Sequence, residues 1–480
     1  MAEPQTDPEV MRKRRAIRIL LFFLLLFPLC NFYYDDVNSN IRQGMNVWEA
    51  LFSGRFFQYY SVNVESQAAG QMTHLANYGM ILNIVNGIWQ LPLYIIEKIA
   101  GGNILEHFAA RIWGKLLMYV AMWTSAFLFR KLAVQTGLKE DKAERAMILY
   151  LTSSLVILSA LNASQIDVVG MNFILLAMYY LIRDEQKKFL LFLILAVQFK
   201  DFAWLVFLPV LLLKEKNLLK LGATLAAPFL FSAVTGIPFS LADPAGVASR
   251  KSRIWIQIDW LTRSRVNLVG GIEIPVVFLA LGALCMYAYF KVLTKEEEKD
   301  RIRWYLYMAA AAMLPIMICT YSNAHWCIYF VPFYLLLLLH REDRFFIRLL
   351  LEMAGTLSLT VAYFVEWWGV FGGLDGMLAD RLIAKDLNTL ISAEQISEFL
   401  KQEKYFQFWT LAFAAFIVWA VCFLIFNHPS RVAGQKEVSS GDLWTDGNKQ
   451  SITALICLRA FAALVICNAM AILTFAQSIF

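Results

Sequence analysis

The sequence predicts an all-α, polytopic membrane protein of about 11–13 transmembrane segments, with a large first outer loop carrying interfacial helices. Three observations predict it. Apolar residues make up 59% of the chain and charged residues only 17%, against roughly 45–50% and about 25% in soluble domains. That excess cannot be buried in one globular core, so lipid must be the solvent for much of the surface. Long apolar runs recur along the chain, and the loop cations sort to alternate sides of them, as the positive-inside rule requires. The net charge of +6 is no nucleic-acid signature in such a chain. The seven cysteines lie almost entirely in apolar segments and form no C-x-x-C, which predicts neither a disulfide framework nor a zinc site.

The first element follows from Arg12-Lys13-Arg14-Arg15, which precedes the apolar run Ile17–Cys30 without a small-residue cleavage site behind it. It reads as an uncleaved anchor, with residues 1–16 as a basic cytoplasmic N-terminus. Residues 17–340 then form the membrane core and 341–480 the C-terminal spans. Span 1, Ile17–Phe32, exits outward into an outer loop over residues 33–112. Within that loop Tyr78–Ile99 is apolar enough to cross. Crossing would put Arg130, Lys131, Lys139, Lys142 and Arg145 outside, against the charge rule. The stretch is also interrupted by Asn83, Asn86, Gln90 and Pro92, while Ile81, Ile84, Val85, Ile88 and Leu91 recur at helical spacing. An amphipathic helix lying in the outer interface is the expectation.

Spans 2–4 follow at Trp113–Phe129, Met147–Leu161 and Val168–Ile182. The run Phe189–Leu213 holds Gln198, Lys200 and Asp201 in its middle, where each charge would cost about 3 kcal/mol in a single span. A hairpin of Phe189–Phe199 and Phe202–Leu213, with Lys200 at its outer tip, avoids that cost. It also assigns eleven cations to the later cytoplasmic loops (from Lys214 to Arg348) and five to the outer ones (Arg250, Lys251, Arg253, Arg263, Arg265). Segments this short cannot cross ~30 Å of hydrocarbon, so they belong inside the bundle beside an outward-facing cavity. The remaining spans are Leu218–Ile237, Ile274–Phe290, Trp304–Thr320, Trp326–Leu339, Ile347–Phe364, Phe406–Phe426 and Ile452–Phe475. Two loops among them stand out: the outer loop 366–405, with Ser392-Ala393-Glu394-Gln395 as a capping box, and the polar, flexible cytoplasmic loop 427–451.

Five groups that could carry chemistry fall on the outer side of this topology. Asp35-Asp36 offers a carboxylate base for an acceptor hydroxyl, or hard oxygen ligands for a divalent cation (Mg or Mn). Gln165 and Asp167 sit in a span-to-span turn, and Lys200 is a compact cation suited to phosphate. Arg250 and Arg253, with Lys251, Arg263 and Arg265, place cations on an outer loop, and His325 lies in the turn Tyr321–Trp326. Each group also has a plain structural reading. These are a solvated helix end, a helix cap at Asp167, a local Lys200–Asp201 pair, a solvated charge run and a structural histidine. Their common sidedness favours chemistry: a base for a hydroxyl and cations for a phosphate leaving group are what sugar transfer from a lipid-phosphate donor requires.

Four stretches resemble the GT-C superfamily of integral-membrane glycosyltransferases, in its bacterial mannosyltransferase-like branch. They are Asp35-Asp36 in the first outer loop, Ser164-Gln165-Ile166-Asp167, Gln198-Phe199-Lys200-Asp201 followed by Phe207-Leu208-Pro209, and Ser322-Asn323-Ala324-His325-Trp326 followed by Val331-Pro332. The chain departs from that pattern at Ser164, where Gly is usual, and at Asp201 and Ala324, where Pro is usual. The resemblance implies inverting transfer of a single hexose, mannose being one candidate, from a polyprenyl-phosphate donor to a glycan or lipid-linked acceptor at the outer face of the cell membrane. Asp35 or Asp36 would be the base. Lys200, Arg250 and Arg253 would hold the donor phosphate, and Gln165, Asp167 and His325 would line the sugar or phosphate site. Two other classes compete: an O-antigen-type ligase or polymerase using a diphosphate-linked glycan, and a lipid or polysaccharide transporter. A transporter would show repeated halves, which the sequence lacks.

Overall fold

The computed structural model describes residues 8–31, 36–75, 78–267, 271–320, 323–341, 343–367, 395, 398–400, 402–432, 446–469, 472 and 476. Helix α1 (Pro8–Asn31) already includes the basic cluster, so the helix starts well before the apolar run. Its axis makes an angle of 95° with that of α2 (Asp36–Phe52). After α3 (Tyr59–Ala68) comes α4 (Met80–Ala100), which packs across α2. Gly44 and Gly87 allow that crossing: a Cβ on Gly44 would stand 2.7 Å from Gln90 Cγ, and one on Gly87 3.0 Å from Val47 Cβ. The Trp48 indole N–H donates to the Gly87 carbonyl at 2.6 Å at the same crossing.

Helix α4 is long and apolar enough to span a bilayer, but both of its ends lie at one end of the molecule. Tyr78, just before it, bonds Lys200 at the tip of the hairpin described below. Glu97, near its far end, accepts from Arg42 of α2 at 2.9 Å and from the Ile104 amide at 3.1 Å. Ile104 lies just ahead of α5 (Phe108–Gln135), whose other end reaches the opposite side. Both ends of α4 are thus tied to neighbouring elements, one to the hairpin tip and the other to α2 and the turn before α5.

Helices α6 (Glu140–Leu151) and α7 (Ser154–Ile157), the latter extended by a π-turn (Leu158–Asn162), form one span bent by 53°. Helix α8 (Asp167–Ile182) returns along α5. Helices α9 (Gln186–Phe199) and α10 (Phe202–Lys214) then form the expected hairpin. Lys214, at the end of α10, pairs at 2.6 Å with Asp184, just ahead of α9. The run 189–213 enters and leaves on one side.

The outer helix α11 (Leu218–Ala242) exposes Leu230, Val234 and Ile237, a surface for lipid. The loop 238–273 contains regular structure. It holds α12 (Pro244–Thr262) and a hairpin of β1 (Arg265–Asn267) and β2 (Glu273–Pro275), antiparallel with Val266 opposite Ile274. Next come α13 (Val276–Phe290), α14 (Lys295–Lys299) and α15 (Arg301–Cys319). The expected span 326–339 divides into a 3-10 turn (Ala324–Tyr329) and α16 (Val331–Leu339). Helices α17 (Phe345–Trp367), α18 (Glu403–Phe426), α19 (Pro429–Val432) and α20 (Asp446–Cys467) complete the described chain. Most of the loop 366–405, including Ser392, Ala393 and Glu394 of the capping box, lies outside the described residues, as do residues 433–445.

Seven helices are long and apolar enough to cross a bilayer among the described residues, or nine with the two bent pairs. The protein is thus an all-α, multi-pass membrane protein. Its basic loops meet at one end. Arg18 Nε donates to Glu144 at 2.7 Å, Arg301 reaches Asp184 at 3.0 Å, and Arg303 donates to the His340 carbonyl at 3.1 Å. Arg14 also pairs with Asp141 there.

Candidate active site

The opposite end gathers the turn after the π-bulge, the hairpin tip, the 3-10 turn and the start of α2. Asp167, the first residue of α8, is fully buried. It caps no helix. The Tyr329 hydroxyl donates to its Oδ1 at 2.9 Å, and Lys200 Nζ stands 3.4 Å from the same oxygen. His325 Nε2 lies 3.8 Å from Oδ2, which has no hydrogen-bond partner among the described residues.

Lys200 occupies the break between α9 and α10 in extended backbone (φ −160°, ψ 126°). Its ammonium group lies over three rings, Tyr78 at 5.2 Å, Phe202 at 5.7 Å and Trp326 at 5.8 Å, an aromatic box that partly replaces lost hydration. The ionic partner of Lys200 is Asp167, two helices distant in sequence from the Asp201 of a local pair. Asp201 itself sits at φ −58°, ψ −26°, a conformation proline also adopts, and the extended Lys200 suits a residue that precedes proline. The aspartate thus takes a backbone conformation that a proline at this position could share.

Asp36 stands on the rim. His74 Nε2 is 3.1 Å from its Oδ1, and Gln165 Nε2 donates to its Oδ2 at 3.2 Å. His74 is held in turn by its backbone. Ser39 Oγ accepts from the His74 amide at 3.1 Å, and Gln43 Nε2 donates to the His74 carbonyl at 2.9 Å. Gln165 is buried and lies two residues before Asp167, so it ties the rim to the buried floor. The turn that delivers it needs a left-handed residue, Ser164 at φ 46°, whose hydroxyl donates to the Leu161 carbonyl at 2.8 Å. The preceding π-turn is pinned by Asn162 Nδ2 donating to the Cys467 carbonyl at 2.8 Å. Such π-bulges often accompany functional sites.

Exposure divides the labour between the groups. The Asp36 side chain is 30% exposed and that of His74 38%, whereas Asp167 is 0% and Lys200 9% exposed. An incoming hydroxyl can reach Asp36, while the Asp167–Lys200 pair is a fixed dipole beneath it. Helices α9 and α10, of 14 and 13 residues, are about 20 Å long at 1.5 Å per residue, shorter than ~30 Å of bilayer hydrocarbon.

The structure brings together Asp36, Gln165, Asp167, Lys200 and His325 of the residues named from sequence. Asp35 lies outside the described residues. Arg250 and Arg253 sit on α12, where the backbone alone is described. That helix is anchored at this end by Asp243, which accepts from Ser61 Oγ at 2.6 Å and from the Ser61 amide at 2.9 Å. Arg263 and Arg265 pair with Asp259 and Glu273 at the surface. Sequence reasoning missed His74, Tyr78 and Tyr329. Tyr329 could have been found four residues beyond His325, but nothing local marks His74 or Tyr78. Asp36 and His74 could give two ligands to a divalent cation; among the described residues no group of three or more metal-ligating side chains gathers.

A family model described as the EpsG family matches residues 105–370, more than half of the chain. The chain belongs to the EpsG family. This is a membrane-associated, polymerase- and glycosyltransferase-like family, so the chain is transferase-like in class. The EpsG match contains Gln165, Asp167, Lys200, His325 and Tyr329 and begins beyond Asp36, His74 and Tyr78. Neither a curated protein nor a solved structure matches the chain.

Proposed function

We propose that this EpsG-family protein is an inverting glycosyltransferase that moves a hexose from a polyprenyl-phosphate donor to a hydroxyl of a glycan or lipid-linked acceptor. The observation that carries the reading is the convergence of Asp36, His74, Gln165, Asp167, Lys200 and His325 in one cluster. The end opposite holds the basic loops, which the positive-inside rule assigns to the cytoplasm; the cluster then faces outward. The acceptor oxygen bonds to the anomeric carbon, the bond from that carbon to the phosphate oxygen breaks, and the acceptor proton passes to the Asp36 carboxylate. His74 and Gln165 orient Asp36. The Asp167–Lys200–His325 floor sets the field in which the phosphate departs. Arg250 and Arg253, on a helix anchored at the same end, are the remaining candidates for the donor phosphate.

The EpsG match favours a second reading, in which the donor is a polyprenyl-diphosphate-linked glycan and the product a polymer. Proteoliposome assays with labelled monophosphate- and diphosphate-linked donors distinguish the two. In either case Asp36→Asn is expected to lower transfer by about 10²-fold or more, as for a lost general base, with expression and thermal stability held. Full activity in Asp36→Asn would remove Asp36 from the chemistry. Loss of transfer from the monophosphate donor alone, with the diphosphate donor used, would establish the polymerase reading instead.

A further inference from the structure

Tyr78 belongs to the cluster, but no step of the proposed transfer uses it. It is half-buried and stands just ahead of α4. Two elements fix its backbone. The Tyr60 hydroxyl donates to its carbonyl at 3.2 Å. Gly79, the next residue, lies so close to α9 that a Cβ there would stand 3.4 Å from Gln198 Oε1. That approach brings the Tyr78 side chain to Lys200, two residues beyond Gln198. Lys200 Nζ lies 3.4 Å from the phenol oxygen and 5.2 Å from the ring centre. An ammonium group can only donate, so the phenol oxygen is the acceptor in that contact. The phenol proton is then left for a different partner, and among the described residues it has no acceptor. Burial raises the phenol pKa, Lys200 opposes that rise, and Asp167 and Asp36 add to it, so the hydroxyl keeps its proton at neutral pH. The same two carboxylates place the phenol within electrostatic range of both the rim and the floor.

A hydroxyl with no acceptor of its own, polarised by an ammonium group beside an accessible rim, suits an anionic oxygen. We infer that Tyr78 is a further catalytic residue, donating a hydrogen bond to the phosphate oxygen that leaves the sugar. The inference rests on the proposed transfer and adds a residue to it. As the bond from the anomeric carbon breaks, its electron pair stays on that oxygen. The negative charge gathering there strengthens the hydrogen bond from Tyr78. The phenol keeps its proton, and the acceptor proton goes to Asp36. Lys200, paired with Asp167, acts on the phosphate through the hydroxyl that it polarises.

The test uses the purified full chain in detergent, with polyprenyl phosphate and the uncharged polyprenol as binding probes. Tyr78→Phe keeps the ring beside Lys200 and removes only the hydroxyl. Wild type is expected to bind polyprenyl phosphate more tightly than polyprenol. Tyr78→Phe is expected to narrow that preference by about 10-fold or more, as for a lost hydrogen bond to a charged group, at an unchanged melting temperature. Its transfer from the lipid-linked donor is expected to fall by about 10²-fold, as for one lost donor to a developing oxyanion. An unchanged preference for the phosphate would overturn the contact. Equal weakening of both probes would reduce Tyr78 to a packing residue and overturn the contact as well. Full transfer by Tyr78→Phe would overturn its part in catalysis. A wild type that transfers no sugar, with the preference still narrowed in Tyr78→Phe, would remove the proposed reaction and uphold the phosphate contact.

Discussion

At the scale of single residues, Ser164 carries a backbone requirement that its side chain hides. Its φ of 46° lies where side-chain crowding is costly, and its own hydroxyl bond to Leu161 offsets part of that cost. Ser164→Gly should be tolerated. Ser164→Val is expected to destabilise by about 1–3 kcal/mol, because a branched side chain in this region is strained. Thermal unfolding of the two variants in detergent checks this, and equal stability of the pair would show that the turn does not depend on that conformation. The same turn sets Gln165 and Asp167, so the Val variant should also lose transfer activity. Lys200 shows a different residue-scale lesson. As a lone cation it looked suited to phosphate, but its neighbours commit it to Asp167 and to three rings.

Among the elements, α20 is joined to the bundle by a buried ion pair. Arg459 donates to both oxygens of Glu352 on α17 at 2.7 Å, and to the Leu149 carbonyl at 2.8 Å. The Tyr334 hydroxyl donates to Glu352 at 2.7 Å. Removing one partner strands a buried charge, which costs about 3–5 kcal/mol, whereas removing both costs less because no lone charge remains. Glu352→Met should therefore unfold at lower temperature than Glu352→Met with Arg459→Met. The reverse order would show that the network acts by hydrogen bonds to Thr152 and Leu149 rather than by charge pairing. Helix α4 is the element whose placement sequence could least settle, since its length and apolarity satisfy a span while its polar interruptions argue against one.

For the whole molecule, the two ends differ in kind: one collects cations and short turns, the other the α2–α4 layer, α12 and the Asp36–Lys200 cluster. Single cysteines at Gln71, ahead of α4, and at Lys187 are expected to react with a membrane-impermeant reagent from opposite sides of sealed vesicles. Labelling of both from one side would mean that α4 crosses and would invert every later loop. The hairpin of α9 and α10 is what keeps the later loops in register with the charge rule, because it adds no net crossing.

The all-α membrane class and the hairpin followed from sequence, because hydropathy and loop charge are one-dimensional properties that the bilayer reads directly. Ser164 at φ 46° and Asp201 at φ −58° take backbone conformations that glycine and proline also adopt, a property no residue letter displays. Only the tertiary structure decided that Asp167 is the partner of Lys200, that His74 and Gln165 hold Asp36, and that α20 is tied to α17. Those pairings join residues up to about 130 positions apart, and a pattern that repeats every few residues carries no record of which distant helix faces which. The crossing of α2 and α4 at Gly44 and Gly87 depended likewise on packing, since the clearance a glycine provides has meaning only when the opposing backbone is in place.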